Sequence, residues 1–255
     1  MSKKLAGTIF VHNAIKFDYC VKEAIESLLW FCDHVYAVDA GSDDGTDEII
    51  KSFDNRVTKI LLSKEDWDAQ QGREKLNYFT NIAIEQAEKD GYEWQFNLQA
   101  DEIVHEKSYP FIRKAIEEDE KSFFSTRINL WKSPYLMLNV SHDRKPCSTE
   151  IIRLARINYR SVGDAESIGV DSATFKYVND IRIYHMGFVR DRTIMKYKSI
   201  HMQKDIFQID YDKKLDGIDY FEPDRWFDPK TDLVFINEPL PEVIKEWASK
   251  RVYKD

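Results

Sequence analysis

Short apolar runs alternate with amphipathic segments along the first 120 residues of the chain. Residues 7–12, 34–38 and 57–62 are rich in β-branched and aromatic side chains, and these compact runs predict three strands. Between the first two, apolar residues recur at helical spacing over residues 19–32, which predicts an amphipathic helix. A second helix is predicted through residues 49–53. Strands and helices in this order favour right-handed βαβ crossovers and a largely parallel sheet.

The pattern becomes less regular beyond Lys121, after a predicted polar loop over residues 63–72 and a helix that ends at Asp90 and Gly91. We interpret the chain as a single α/β domain over residues 1–255 with two unlike halves. The remaining predicted elements are strands at 94–98, 123–130, 135–140, 151–157 and 181–184 and helices at 76–87, 108–116, 192–207 and 241–252.

The composition is that of an ordinary folded protein, with 43% apolar and 32% charged residues. The 45 acidic and 37 basic residues give a net charge of −8, which disfavours bulk binding to nucleic acid. No apolar stretch has the length of a transmembrane span or of a signal peptide. Cys20, Cys32 and Cys147 are widely spaced and form no metal-binding pair motif. We therefore expect a cytoplasmic protein without a transmembrane segment.

The predicted strand at residues 94–98 runs into residues 99–102, whose sequence is Gln-Ala-Asp-Glu. In open α/β sheets, ligands bind at the carboxyl ends of the strands, so this order places two carboxylates at the edge of a crevice. Carboxylate oxygens suit Mg²⁺ or Mn²⁺, which bind through one or two carboxylates together with substrate phosphates. The alternative for this stretch alone is a solvated acidic turn.

The second predicted strand ends in residues 39–46, with the sequence Asp-Ala-Gly-Ser-Asp-Asp-Gly-Thr. Asp39 is placed to accept hydrogen bonds from the ribose or base of a nucleotide, and the glycines let the backbone approach a ligand. The alternative is an aspartate that caps its own loop. Ser42, Asp43 and Thr46 are candidate caps for the helix that follows.

Residues 38–46, 99–102 and 184–187 together resemble family-two glycosyltransferases of the GT-A fold. In that family an apolar strand ends in Asp, a Gly-Ser turn and Asp-Gly-Thr, and an Asp-Ala-Asp-Glu strand end and a late His-Tyr-Gly follow. The resemblance covers residues 7–120 well and residues 181–198 thinly. It implies a GT-A type sheet, largely parallel but mixed and flanked by helices. It also implies a nucleotide-sugar-binding half at 1–120 and an irregular acceptor-side half at 121–255.

The resemblance further implies a metal-dependent, inverting glycosyltransferase that moves a sugar from a nucleotide-sugar to an acceptor hydroxyl. Asp101 and His185, each at the end of an apolar strand, are the implied ligands of Mn²⁺ or Mg²⁺. Glu102 is expected to be a helper or a solvated neighbour. Gln99 stands where the family usually has Asp, and its amide adds no negative charge. The alternative for His185 is a hydrogen-bonded structural histidine.

A larger set of residues is expected to bind the nucleoside diphosphate of the donor. Arg73 and Lys75 open a predicted helix, and helix N-termini favour anions. Arg190 and Lys198 follow the late histidine and can close over the donor as a lid. The complete expected set is Asp39, Ser42, Asp44, Arg73, Lys75, Gln99, Arg190 and Lys198.

Transfer to a hydroxyl also requires a carboxylate that takes the proton of the acceptor. In the family this base lies on the acceptor side, after the metal-binding strand. Asp164 and Glu166, in a loop with Gly163, are the best-placed candidates, while Glu150 and Asp143 stay open. With such a base, the family implies that the acceptor hydroxyl displaces the nucleoside diphosphate directly, with inversion at the anomeric carbon.

Two other functions compete with a glycosyltransferase. A sugar nucleotidyltransferase usually has a Gly-rich, basic loop after the first strand, and residues 12–16 do not form one. A non-catalytic nucleotide- or sugar-binding module is favoured only by Gln99. The acceptor is left open between a glycan, a protein, a lipid-linked sugar and a modified nucleobase.

Overall fold

The structure is a computed structural model that describes residues 3–139, 148–169, 176–208 and 232–251. Asp143 and Cys147 lie outside these residues, as do the ends of the strand predicted at 135–140 and of the helix predicted at 241–252.

Four parallel strands form the first half of the sheet. β1 (Leu5–Val11) lies between β4 (Trp94–Leu98) and β2 (His34–Asp39), and β3 (Val57–Leu61) pairs with the outer side of β2. Because these strands are parallel, their carboxyl ends share one edge of the sheet, as the predicted crossovers require.

Helices connect these strands and cover the sheet. The first one buries Val21, Ala24, Ile25 and Leu28 in the apolar core, which is the helical spacing seen in the sequence. The helices of this half are α1 (Val21–Leu29), α2 (Thr46–Lys51), α3 (Lys64–Ala69), α4 (Glu74–Lys89), a 3₁₀ turn (Glu106–Ser108) and α5 (Tyr109–Ala115).

The second half extends the same sheet with antiparallel pairs. β8 (Glu150–Arg156) lies between β4 and β6 (Ser122–Trp131), antiparallel to both. β7 (Ser133–Leu138) pairs with β6, and β12 (Leu233–Phe235) pairs with β7. A small hairpin lies off this sheet, formed by β9 (Ser161–Val162) and β10 (Ser167–Ile168).

The long strand β11 (Lys176–Phe188) joins the two halves at the edge where β4 ends. It pairs parallel with β6 and antiparallel with the short strand β5 (Glu102–Val104). After it come α6 (Arg192–His201), a π-helical turn (Met202–Ile206), a 3₁₀ turn (Glu242–Ile244) and α7 (Lys245–Ser249).

The predicted α/β class, with a largely parallel but mixed sheet flanked by helices, is confirmed and is consistent with a GT-A-like fold. Among the described residues, no helix is both long and apolar enough to span a membrane. One buried apolar cluster contains residues from both halves, among them Trp94, Phe96, Leu154 and Ile183.

The segment predicted as a polar loop at residues 63–72 contains helix α3, so that prediction was wrong. Ser63 caps this helix: its hydroxyl accepts from the Asp66 N–H, and the Asp66 carboxylate accepts from the Ser63 N–H. This reciprocal arrangement stabilises a helix start. Its apolar contribution is Trp67, which is buried although its neighbours are charged.

Candidate active site

The turn after β4 presents Asp101 at the edge of the sheet. The Glu102 N–H donates to the Gln99 carbonyl (3.1 Å), and the Gln99 N–H donates to Oε2 of Glu102 (3.0 Å). This closed turn leads directly from β4 into β5, and Asp101 lies at its corner. The chain therefore places this carboxylate with little freedom, as a site on rigid elements requires.

Strand β11 brings His185 to the same place. His185 is paired in register with Glu102, and the Met186 N–H donates to the Asp101 carbonyl (2.7 Å). As a result Nε2 of His185 lies 3.8 Å from Oδ1 of Asp101. The two residues that the sequence placed at separate strand ends thus face each other, but His185 lies inside β11, which continues to Phe188, and not at the end of a strand.

The hydrogen bonds around His185 define its tautomer. Nδ2 of Asn129 donates to the Ser148 carbonyl (3.2 Å), so Oδ1 of Asn129 faces His185 as an acceptor. Nδ1 of His185 lies 2.9 Å from this oxygen and donates to it. Burial lowers the pKa of His185 to about 4, so the ring is neutral at pH 7. Its Nε2 therefore directs a lone pair towards Asp101.

Gly187 provides the space in which this imidazole lies. A Cβ at this position would be 2.3 Å from Nε2 of His185 and 2.5 Å from its Cε1. Contacts this short do not occur between a real Cβ and a ring, so any larger residue displaces the imidazole. The presence of glycine at position 187 therefore has a steric explanation: only glycine leaves room for the His185 ring.

Two cations surround the other oxygen of Asp101. Nζ of Lys198 lies 3.0 Å from Oδ2, and a guanidinium nitrogen of Arg190 lies 3.6 Å from it. Burial raises the pKa of Asp101, but Lys198, His185 and Arg190 outweigh this effect and hold it well below its usual range. Burial lowers the pKa of Lys198 to about 8. Asp101 is thus ionised within a cationic environment.

Glu102 is not the solvated neighbour expected from the sequence. Its side chain is fully buried, and Oε1 accepts from Nη2 of Arg153 (2.8 Å) and Nη1 of Arg127 (3.4 Å). Burial raises the pKa of Glu102, but the two arginines lower it by more than burial raises it. The pKa is therefore below its ordinary value, and the carboxylate is ionised. A buried charge paired in this way holds the turn below Asp101 and does not face the cavity.

A cavity of about 210 Å³ opens beside Asp101. Five of the expected site residues line it, namely Gln99, Asp101, Asp164, His185 and Lys198. Aromatic and imidazole rings form much of the remaining wall, from Phe10, His12, Phe17, Tyr19, Trp67 and His201. A mostly apolar cavity with a few convergent polar groups is typical of small-molecule sites.

Asp39 and Ser42 form a closed turn next to this cavity without lining it. Oδ1 of Asp39 accepts from the Ser42 hydroxyl (2.5 Å) and from its N–H (3.1 Å). Ser42 in turn accepts from the Asn13 N–H (2.8 Å). Burial raises the pKa of Asp39. The aspartate therefore caps its own loop, which was the alternative interpretation, and no described hydrogen bond uses its Oδ2.

Gly41 lets this turn pack against the end of β3. It has a φ of +69°, and a Cβ there would lie 2.2 Å from the Ser63 carbonyl oxygen. Both the left-handed conformation and the close backbone contact require glycine.

Asp44 uses both carboxylate oxygens, one within its own loop and one for the loop after β1. Oδ1 accepts from the N–H (3.1 Å) and hydroxyl (2.6 Å) of Thr46, and Oδ2 accepts from the Lys16 N–H (2.7 Å). These bonds satisfy the start of α2, where Gly45 is the N-cap residue and not Ser42, Asp43 or Thr46 as predicted. Asp44 is thus placed as a structural residue of the turn.

The expected basic residues divide into two groups, because only Lys198 lines the cavity. Arg190 is buried behind it and donates to the carbonyls of Phe17 (2.7 Å) and Met186 (3.3 Å). The guanidinium of Arg73 lies 4.9 Å from the ring centre of Phe207. These contacts stabilise the surroundings of the site.

Lys75 belongs to an aromatic cluster that sequence reasoning missed. Its Nζ lies 4.2 Å from the ring centre of Trp67, and Trp67 stacks on His12 with ring centres 3.8 Å apart. The ring centre of His201, on α6, lies 4.8 Å from the ring centre of Phe17. Trp67 comes from the segment predicted as a loop, so only recognition of the capping pair at its start would have pointed to it.

The loop that carries Asp164 is anchored from several sides. The Gly163 carbonyl accepts from Nδ2 of Asn77 (2.9 Å), and the Ala165 carbonyl accepts from Nε2 of Gln99 (3.3 Å). Glu166 pairs with Nη2 of Arg127 (2.5 Å). Between these anchors, Asp164 is partly exposed and lines two adjoining cavities.

No family model and no curated protein matches this chain. Among solved structures it is similar to S. aureus TarS, with 14% identity and a TM-score of 0.47 over 79% of this chain and 40% of that one. For TarS 1–349, the complex with UDP shows 15% identity and a TM-score of 0.46, and the complex with UDP-GlcNAc shows 14% and 0.47. Both cover 79% of this chain, and 66% and 67% of theirs. This chain therefore spans less than half of the longer TarS chain, and such low similarity assigns it no ligand.

Proposed function

We propose that this chain is a metal-dependent, inverting glycosyltransferase that moves a sugar from a nucleotide-sugar to an acceptor hydroxyl. The observation that carries the proposal is the approach of His185 Nε2 to Asp101 Oδ1, 3.8 Å apart at the wall of a cavity. The site lies at the carboxyl ends of parallel strands, where α/β sheets bind nucleotides.

The side chains around this pair fit Mn²⁺ or Mg²⁺. A neutral imidazole lone pair and a carboxylate oxygen that face each other repel, and a divalent cation between them would remove this repulsion. Among the described residues no group of three or more His, Cys, Asp or Glu side chains is arranged around a metal position. Asp101 and His185 would thus hold the ion, with the diphosphate supplying further oxygens. When bound, the ion neutralises the charge that develops on the departing diphosphate.

The chain's own groups divide the remaining work. Lys198 donates to Oδ2 of Asp101 and to the Gly187 carbonyl (3.2 Å), and it lines the cavity as the cation available to a diphosphate. Gln99 and the aromatic wall bound the space for the nucleotide. Asp39 supports that wall through its turn, in which Oδ1 accepts from Ser42.

Asp164 is the preferred base over Glu166. Glu166 is paired with Arg127. Burial raises the pKa of Glu166, but Arg127 lowers it by more, so the pKa lies below its ordinary value and Glu166 is a weaker base. Asp164 lines both cavities and has no described ion pair, so its carboxylate can reach an acceptor hydroxyl next to the donor. The acceptor oxygen, whose proton Asp164 would take, forms the new bond to the anomeric carbon on the face opposite to the breaking bond to the nucleoside diphosphate, and this direct displacement inverts the configuration.

Calorimetry with a panel of nucleoside diphosphates tests this proposal. With Mn²⁺, one diphosphate should bind to the full chain, and EDTA should abolish the binding. Asp101→Asn should remove the Mn²⁺-dependent binding. Asp164→Asn should keep it and lose only the turnover of the corresponding nucleotide-sugar. Failure of every diphosphate to bind in either condition would contradict the proposal.

A non-catalytic nucleotide-binding module is the second candidate, and one observation favours it. Lys198 and Arg190 already neutralise Asp101, so a diphosphate could bind to this cationic environment without metal. This candidate predicts equal affinity with Mn²⁺ and with EDTA, and no turnover of any nucleotide-sugar. The same calorimetric experiment therefore separates the two functions.

A further inference from the structure

A second cavity of about 660 Å³ adjoins the first one. The two share Leu76, Gln99, Asp164, His185 and Met202, so a group bound in one lies beside a group bound in the other. The volume of the second cavity is within the range that holds small organic ligands. Its position next to Asp164 makes it the place from which an acceptor would reach the donor.

One wall of the second cavity is a pair of stacked aromatic rings. Phe124 on β6 and Tyr177 on β11 are paired in register, with ring centres 4.9 Å apart and an angle of 15° between the rings. Tyr177 is 51% exposed and both rings line the cavity. A flat ring held by two strands is a rigid platform, whose negative face attracts the slightly positive C–H groups of a ligand.

Hydrogen-bonding groups also line the second cavity. Carboxylates come from Glu150, Asp164 and Glu166, and hydroxyls come from Ser148 and Thr149. Carboxylates accept hydrogen bonds from hydroxyl donors. The cation that lines the cavity, Arg127, is already paired with Glu102 and Glu166. This balance of charges disfavours a phosphorylated or otherwise anionic ligand.

We infer that the second cavity binds a neutral saccharide as the acceptor, with one sugar ring stacked on Tyr177. A pyranose has the two surfaces that the cavity offers, C–H groups for the aromatic platform and hydroxyls for the carboxylates. The inference rests on the proposed function for the role of acceptor. Binding of the saccharide itself does not depend on it.

Saturation-transfer NMR on the full chain tests this inference, with UDP and the diamagnetic ion Mg²⁺ present. The probes are methyl glucoside, methyl galactoside, lactose and cellobiose, with glucose 6-phosphate as the anionic counterpart. At least one neutral probe should receive signal at its ring C–H protons, and glucose 6-phosphate should receive less signal than that probe. Tyr177→Ala should raise the Kd of that probe about tenfold, while Tyr177→Phe should keep it within about twofold.

Tyr135→Ala is the matched control, because Tyr135 is an exposed tyrosine on a strand and does not line the cavity. It should leave saccharide binding unchanged. The inference is overturned if no neutral probe binds, if Tyr177→Ala has no more effect than Tyr135→Ala, or if the phosphorylated probe binds more tightly. If the wild-type chain binds a neutral saccharide but no nucleoside diphosphate, the result contradicts the proposed function and leaves this inference standing.

Discussion

Nδ1 of His185 donates a hydrogen bond to Oδ1 of Asn129 over 2.9 Å, and the amide of Asn129 is itself oriented by the Ser148 carbonyl. This chain of two bonds leaves Nε2 of His185 as the nitrogen that faces Asp101. Histidines that bind metals usually donate their other ring nitrogen to such a partner, which fixes the ring and its tautomer.

Asn129→Ala should therefore lower the affinity for Mn²⁺ in the presence of the diphosphate, by about 10- to 100-fold. The imidazole loses its orientation while both proposed ligands stay in place. The affinity is measured by calorimetry. Thr58→Ala, which removes a hydrogen-bonding partner from His34 instead, is the control and should leave it unchanged. Equal Mn²⁺ affinity in Asn129→Ala and the wild type would show that Asn129 does not position the ligand.

Gly187→Ala should displace the imidazole, because the new Cβ would lie 2.3 Å from Nε2. We expect Mn²⁺-dependent binding of the diphosphate to be lost, although Asp101, Asn129 and His185 are all present. Gly91→Ala is the control: its φ of +81° strains an alanine, but no atom lies within 4 Å of the added Cβ. That variant should lose some stability and no metal affinity. Normal Mn²⁺ binding by Gly187→Ala would contradict the steric argument.

The parts of the site that could be predicted lie where local patterns are strong. The strand that ends at Asp39 is a compact apolar run and the strand before Asp101 alternates, so their carboxyl ends, and the side chains there, followed from parallel pairing. The strand at His185 was also predicted, because Ile181, Ile183 and Tyr184 just before it are apolar, although β11 continues to Phe188. In each case the information lies within a few neighbouring positions.

The parts that could not be predicted depend on contacts between distant segments. Glu102 looked like a solvated neighbour, but its partners Arg127 and Arg153 are 25 and 51 residues away. Nothing near Glu102 shows that it is buried. The stacking of His12 on Trp67 is equally non-local. Helix α3 is different, since Ser63 and Asp66 form a local capping signal that could have been recognised.

The His12 ring should make the fold sensitive to acid. Burial lowers its pKa to about 4, below the ordinary value of 6.5. Below pH 6.5 this histidine is protonated in the unfolded chain, whereas in the folded chain it stays neutral down to about pH 4. The free energy of unfolding therefore decreases as the pH is lowered from 6.5 to 4. The slope for one histidine is at most about 1.4 kcal/mol per pH unit. His12→Phe keeps a ring against Trp67 but does not titrate.

Urea unfolding at pH 7.5 and pH 5.0 measures this effect as the loss of unfolding free energy between the two values. His185 has a lowered pKa for the same reason and contributes in both proteins, so the comparison isolates His12. The loss should be smaller in His12→Phe than in the wild type. An equal loss would mean that the partly buried His12 ring is not linked to acid sensitivity.

Glu102→Gln should be the most destabilising of these changes. The substitution leaves Arg127 and Arg153 buried without their shared carboxylate, and breaking a buried pair costs about 3–5 kcal/mol of unfolding free energy. It should also weaken Mn²⁺ binding, because Oε2 of Glu102 accepts from Gln99 in the turn that holds Asp101. Asp47→Asn is the control, since its pair with Lys51 lies on the surface and should contribute less than about 1 kcal/mol. Urea unfolding of both variants gives the comparison, and similar stabilities would contradict a structural role for the buried network.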